Sequence, residues 1–225
     1  MGRKTIGSEI VTHALVNKVK LIDDRDMVIR ASIDGQFEAD TFKFVDHHMP
    51  VGGLFMDIGA YSGIYSLYVA QFKDAVAYGF EPNPLLFERF NQNIELNGLR
   101  SNIQPLNFGL SNKQQKASLY VNPNTHLTSA GSLSPERGKT SVFEVDIEVY
   151  DDMPFSVLSI DMVKIDVEGH ESQVIEGMIY TLKRDHPIVI VECLDEQAVK
   201  QCDDLLLPLG YERTGCLDDR NYTYQ

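Results

Sequence analysis

Two hydrophobic periods alternate along most of the chain. Short apolar runs read as buried strands: Leu54 to Ile58, Ala75 to Phe80, Ile103 to Phe108, Met162 to Val167 and Ile188 to Val191. Between them lie stretches with helical spacing. Ser62 to Phe72 places Ile64, Leu67, Tyr68 and Phe72 on one face, and Leu86, Phe90 and Ile94 recur every four residues after Pro84. Asn83 is expected to cap that second helix, with Pro84 in its first turn and Gly98 as its left-handed terminus. Glu171 to Lys183 and Glu196 to Leu207 complete the helical set. Strands alternating with helices predict an α/β, Rossmann-like fold with a doubly wound, mostly parallel sheet. A C-terminal antiparallel hairpin closes it, with Tyr211 to Leu217 and Asn221 to Gln225 turning at Asp218-Asp219.

The flanks of this core are less regular. Ile10, Val11, Ala14, Leu15 and Val19 predict a helix over residues 8–19. Val28 to Ile33 reads as a strand closed by Asp34-Gly35, and Phe37 to His48 as a short helix. The rhythm breaks after Gly109. Ala117 to Val121 and Val142 to Val149 alternate as strands around the polar stretch Asn122 to Thr140, whose length suits a lid or a mobile loop. The expected organisation is an N-terminal extension, 1–49, packed on a core domain, 50–225, with a lid-like insertion at 122–140. The extension and the insertion are expected to shape a substrate pocket.

Composition narrows the partners. Of 225 residues, 43% are apolar, enough for one large core, and no Pro/Ser/Gly-rich linker divides the chain. The net charge of −13 argues against nucleic acid and anionic membrane as partners. Cys193, Cys202 and Cys216 match neither a disulfide framework nor a zinc pattern. Met1 to Ile6 lacks a signal core and no apolar run reaches membrane-span length, so a cytoplasmic location is expected. His47-His48 is expected to be a solvated pair rather than a metal site, because adjacent side chains diverge.

In a doubly wound sheet, ligands bind at the carboxyl ends of the strands. Those ends here carry Asp57, Glu81, Asn107, Asp166 with Glu168, and Glu192. The first is followed by Gly59-Ala60-Tyr61-Ser62-Gly63, a glycine turn into a helix. Glu81 follows Asp57 by 24 residues, where a carboxylate can accept both hydroxyls of a ribose. A dinucleotide turn requires a glycine at its middle so that pyrophosphate can approach, and Tyr61 stands there instead. S-adenosylmethionine, which has no phosphate, tolerates that side chain.

Asp57-Ile58-Gly59-Ala60-Tyr61-Ser62-Gly63, Phe80-Glu81-Pro82-Asn83, Asn107 to Ser111, Val163-Lys164-Ile165-Asp166-Val167-Glu168-Gly169-His170-Glu171 and Ile188 to Glu192 together resemble the motifs of FkbM-type methyltransferases. The resemblance runs from about residue 50 to the C-terminus, with Lys164 to Gly169 its most specific part. The family typically has Asn at the place of Tyr61, and Ala at the places of Gly109 and His170. The resemblance implies a class I enzyme that uses S-adenosylmethionine. Gly59, Ala60, Tyr61 and Gly63 would wrap the methionine portion and Asp57 would hold its amino end. Glu81 would bind the ribose, Asn83 would shape the adjacent turn, and Asn107 would face the adenine. It also implies a sugar or small-molecule hydroxyl as methyl acceptor. Asp166, Glu168 and His170 are the candidate bases, with Lys164 on the same strand face as Asp166. Asp166 and Glu192 could alternatively share a divalent cation, though two carboxylates make a loose site and no metal is expected. A cofactor-binding module without turnover and a ribose methyltransferase acting on RNA remain the alternatives.

Overall fold

Seven strands form the central sheet of this computed structural model, which describes residues 9–12, 19–23, 37–121 and 141–225. The chain begins with β1 (Glu9–Thr12), β2 (Lys20–Asp23) and α1 (Ala39–His48). An alternating unit follows: β3 (Leu54–Ile58), α2 (Ile64–Lys73), β4 (Val76–Phe80), α3 (Pro84–Asn97) and β5 (Ile103–Leu106). A side sheet comes next, made of β6 (Gly109–Leu110), β7 (Gln115–Val121) and β8 (Ser141–Glu148). The last part is β9 (Met162–Ile165), α4 (Glu171–Glu176), α5 (Ile179–Asp185), β10 (Ile188–Glu192), α6 (Glu196–Leu206), β11 (Arg213–Leu217) and β12 (Asn221–Tyr224).

The sheet order is β5-β4-β3-β9-β10-β12-β11. Strands β5 through β10 run parallel, and β12 inserts antiparallel between β10 and β11. The chain leaves β3 toward β4 and β5, then returns to lay β9 on the opposite edge of β3. The strand order therefore reverses between β3 and β9, which is where an open α/β sheet leaves a crevice.

Side chains alternate between the two faces with period two. Phe55, Met162 and Ile190 pack in one apolar cluster with α2 and α3. Met56, Val163, Ile165, Val189 and Val191 pack in the other with Val174, Leu182 and Leu206. The same parity assigns Asp57, Lys164 and Glu192 to the face covered by α2 and α3. The polar positions thus collect on one side of the crevice, at the strand ends.

Two pieces of the N-terminal segment are tied down by side-chain hydrogen bonds. Asn97 Oδ1 accepts from Lys20 N at 2.8 Å, and Asn93 Oδ1 accepts from Ile22 N at 3.0 Å, so α3 grips β2. α1 lies on α2, with Phe42 stacked on Tyr65 at 4.3 Å between ring centroids. Its first turn is capped from the far end of the chain. Asp218 accepts from Asp40 N, Thr41 N and Thr41 Oγ1 at 3.2, 2.8 and 2.9 Å. Asp218 and Asp219 both have positive φ, 47° and 66°, in the three-residue loop between the paired ends Leu217 and Asn221.

Three expectations need correction. The helix expected over 8–19 is replaced at Glu9–Thr12 by a strand paired antiparallel with Lys20–Asp23. The β-branched sequence Ile10-Val11-Thr12 favours that ladder over the helical spacing. The helix expected from Glu171 to Lys183 is two helices, broken at Gly177-Met178. Gly177 lies so close to the 110–112 loop that a Cβ would come within 2.1 Å of the Ser111 carbonyl oxygen, and the chain bends there. The third strand stops at Leu106, and Gly109-Leu110 joins the side sheet instead. The expected strand over residues 28–33 and the insertion 122–140 lie outside the described residues.

Candidate active site

A cavity of about 280 Å³ opens at the strand ends on both sides of the β3–β9 reversal. One end of it is built largely from backbone. Gly59 N and Ala60 N both donate to the Phe80 carbonyl at 2.9 Å, and Asp166 N donates to the Ile58 carbonyl at 2.9 Å. The turn is thereby fastened to both neighbouring strand ends. Gly59 has φ 83°, and a Cβ there would lie 1.8 Å from the Asp166 carbonyl oxygen. Gly63 has φ 84°, and its missing side chain is the space taken by the Phe90 ring, 2.0 Å from an ideal Cβ. Tyr61 also holds a left-handed φ of 57°, a conformation that disfavours bulky residues.

Asp57 and Glu81 flank this turn. Asp57 is 3% exposed, and its Oδ2 accepts from Ser66 N at 3.0 Å and Ser66 Oγ at 2.6 Å. Burial raises its carboxyl above the usual range, partly offset by Ser66 and by the Lys164 charge. Glu81 is 6% exposed and accepts from Tyr61 N at 2.9 Å and Asn83 N at 2.8 Å. Burial pushes it up to about 8 despite those two bonds. The backbone uses each Glu81 oxygen once, which leaves a further position on each, acceptor or, when protonated, donor, for a diol. Asn83 is the helix cap, accepting from Leu85 N at 3.0 Å. The amide of Asn107 donates to the Glu81 carbonyl at 2.8 Å and secures the turn after β4. Asp57, Gly59, Ala60, Tyr61 and Glu81 line the cavity, with Phe80, Leu86, Leu110, Leu119 and Ile147 as its apolar wall. Asn83 and Gly63 are buried outside that lining, and Asn107, expected to face the adenine, is exposed and does not belong to it. These features fit a ligand with a cationic and carboxylate tail, a diol and a flat apolar group, as S-adenosylmethionine has.

The other end is built from charged side chains. Lys164 is 3% exposed and donates to Asp166 Oδ2 at 2.8 Å. Its Nζ also lies 3.8 Å from Glu38 Oε2 and 4.8 Å from the centre of the Tyr65 ring. Tyr65 donates its hydroxyl to the same Glu38 oxygen. Burial works against the Lys164 charge, but Asp166 and Glu38 outweigh it and hold the ammonium well above the ordinary lysine range. Glu38, Asp166 and Glu192 each bring a carboxylate oxygen within 4.8 Å of the other two. Lys164 supplies the positive charge among them. Burial raises the Asp166 carboxyl, but Lys164 and the neighbouring Glu192 carboxyl hold it below the usual range. Glu192 moves the opposite way, pushed up to about 9 by burial and by the adjacent Asp166 charge.

Glu168 and His170 line the same cavity from the loop after β9. His170 Nε2 is 2.9 Å from the hydroxyl of buried Ser111, and burial together with Lys113 lowers its pKa. Its polar contact is therefore Ser111, apart from the Lys164 cluster. Glu171 shapes that loop, accepting from Gly169 N at 2.8 Å and Val167 N at 3.3 Å. The expected His47-His48 pair ends α1, where His48 Nδ1 is 2.9 Å from the Phe44 carbonyl oxygen.

Glu38, Tyr65 and Ser66 carry no sequence signal of a site role, and Glu171 enters only as the last residue of a motif. Ser66 and Tyr65 are ordinary helix residues by pattern. Glu171 is legible only as a carboxylate two residues after Gly169. Glu38 belongs to a segment with no motif, and only the tertiary fold brings it to Lys164.

Residues 57–213 match the family described as the methyltransferase FkbM domain. Methyltransferase sdnD of Sordaria araneosa is 29% identical over 76% of this chain and 80% of its own length. The hexuronic acid methyltransferase AglP of Haloferax volcanii is 27% identical over 68% of this chain and 61% of its own. The crystal structure of a methyltransferase FkbM from Methylobacillus flagellatus KT has the same fold, with TM-score 0.55 and 12% identity. That superposition covers 94% of this chain and 56% of the other. With the family's sequence pattern spanning most of a Rossmann-like sheet whose strand ends form one cavity, this chain belongs to the FkbM family of S-adenosylmethionine-dependent methyltransferases.

Proposed function

We propose that the chain transfers the methyl group of S-adenosylmethionine to a hydroxyl oxygen of a sugar or other small metabolite. The observation that carries this is the shared cavity. The glycine turn, Glu81 and the Lys164–Asp166 pair all line it. The methyl donor supplies a sulfonium, already a good leaving group. What this chain's residues supply is placement and proton removal, and orientation alone can contribute on the order of 7–11 kcal/mol.

Asp57 and the Gly59–Gly63 turn are assigned to the methionine end and Glu81 to the ribose. Asn83 and Asn107 hold the surrounding turn. Asp166 is assigned to orient the acceptor hydroxyl and take its proton, with Lys164 fixing one of its oxygens. Glu168 and His170 are assigned to the rim of the acceptor space. The segment carrying Glu38 belongs to the same site, so the N-terminal extension serves the core domain directly. Support for a sugar acceptor comes from the similarity to AglP, a protein described as a hexuronic acid methyltransferase. The net charge of −13 disfavours RNA. Among the described residues no helix is long and apolar enough to cross a membrane, in keeping with a cytoplasmic enzyme.

Methyl transfer from labelled S-adenosylmethionine to a panel of hexuronic acids, hexoses and small phenols tests the proposal. A methyl ether on one of them is expected. Transfer only to nitrogen or carbon nucleophiles would overturn the oxygen assignment.

A further inference from the structure

Glu192 has no part in the assignments above, yet it closes the charged end of the cavity. It is the last residue of β10, directly beside the strand that carries Lys164 and Asp166. One of its carboxyl oxygens lies within 4.8 Å of an oxygen of Asp166 and of an oxygen of Glu38. Three carboxyl groups gathered around one ammonium, that of Lys164, repel one another unless one of them holds a proton. Asp166 is the ionised member, because Lys164 Nζ lies 2.8 Å from its Oδ2. Glu38 also lies 3.8 Å from that ammonium, and Glu192, with no ion pair among the described residues, is then the member that holds the proton.

We propose that Glu192 is a positioning residue that holds a proton and donates it in a hydrogen bond to Asp166, fixing the Asp166 carboxylate for the acceptor hydroxyl. This deepens the proposed function and rests on it. Lys164 takes one of the Asp166 acceptor positions, the Glu192 proton would take a second, and Asp166 itself lines the cavity. As the bond from the acceptor oxygen to the methyl carbon forms and the carbon–sulfur bond breaks, the hydroxyl proton passes to Asp166. The positive charge lost from sulfur thus reappears as a proton on the dyad.

The surroundings of Glu192 favour its neutral form. Burial and the Asp166 charge raise its pKa to about 9, with Glu38 adding to the rise and Lys164 opposing it. From the other flank it faces Asn221, its ladder partner on β12, a neutral residue whose amide oxygen is buried without a partner among the described residues. When Glu192 ionises, two adjacent carboxylates repel, and Asp166 loses its fixed orientation.

The test has two arms. Infrared difference spectra between the wild-type chain and Glu192→Gln need no acceptor. A protonated carboxyl band at neutral pH that disappears with a midpoint near pH 9 is expected. The absence of such a band would overturn the proposal. In the kinetic arm, hexuronic acids serve as acceptor probes. Glu192→Ala is expected to lower kcat at least tenfold. Glu192→Gln, whose amide still donates, is expected to recover most of that loss and to remove the fall in rate above pH 9. Abolished activity in Glu192→Gln would contradict it, because Glu192 would then be the base itself. Calorimetry with S-adenosylhomocysteine on the same proteins separates the two levels. A wild-type chain that does not bind it sinks the methyltransferase site but leaves the infrared result standing.

Discussion

The two ends of the cavity are made in different ways. The turn end is backbone held by backbone: Gly59, Ala60 and Asp166 amides bond to strand-end carbonyls, and two glycines leave no room for side chains. The charged end is four side chains from three parts of the chain, Glu38, Lys164 with Asp166, and Glu192, three carboxyls around one ammonium. The first is a rigid receptacle whose shape tolerates little change. The second is an electrostatic cluster whose state depends on protons. A ligand common to many enzymes suits the first, and a chemistry particular to one acceptor suits the second.

Several substitutions sharpen or break that division. Gly59→Ala has the largest expected effect, because a Cβ would strike the Asp166 carbonyl at a left-handed residue. Overpacking and strain together should cost roughly 4 kcal/mol or more in urea unfolding, with cofactor affinity lost as well. Lys164→Ala leaves buried carboxylates without their cation, and about 3–5 kcal/mol of stability should be lost, measured the same way. If Lys164→Ala weakened S-adenosylhomocysteine binding as much as Gly59→Ala, the two ends would not be separable.

Glu81→Ala should weaken cofactor binding by a few kcal/mol at most, about the worth of one or two charged hydrogen bonds. The same residue gives a pH dependence. Its folded carboxyl titrates near 8 against an ordinary value of 4.5. Between those values the folded protein binds more protons than the unfolded one, so stability falls as pH rises. Glu81→Gln should flatten that part of the stability–pH curve, and an unchanged slope would refute the buried-carboxyl assignment. Asp218→Ala has the smallest expected effect. Losing the cap of α1 should cost about 1–2 kcal/mol, with acceptor turnover reduced more than cofactor affinity.

How far the sequence reveals these two ends follows from how each is made. The turn end is local. Asp57, the glycines and Glu81 are fixed by short strands, a cap and a tight turn, all of which leave spacing and residue-type signals. The order of strands and helices from Leu54 to Asn97 was legible for the same reason. The charged end is non-local. Asp166 and Lys164 could be paired by strand alternation, and Glu192 could be placed on an adjacent strand. Nothing in the sequence around Glu38 says that α1 will lie on α2 and carry it to Lys164. The break at Gly177 was equally hidden, since it arises from the approach of the Ser111 carbonyl in space. Residues 9–12 misled because their spacing suited a helix while a ladder partner at Lys20–Asp23 decided the outcome.

The central claim is that one cavity holds a methyl-donor site centred on Glu81 and a separate charged end centred on Asp166. Calorimetric titration of S-adenosylhomocysteine into the wild-type chain, Glu81→Ala and Asp166→Asn tests it most directly. The expected result is binding by wild type, at least tenfold weaker binding by Glu81→Ala, and affinity within about threefold of wild type for Asp166→Asn, a spread in keeping with one lost charged hydrogen bond against none. No binding by wild type at millimolar ligand, or an affinity untouched by Glu81→Ala, would contradict it.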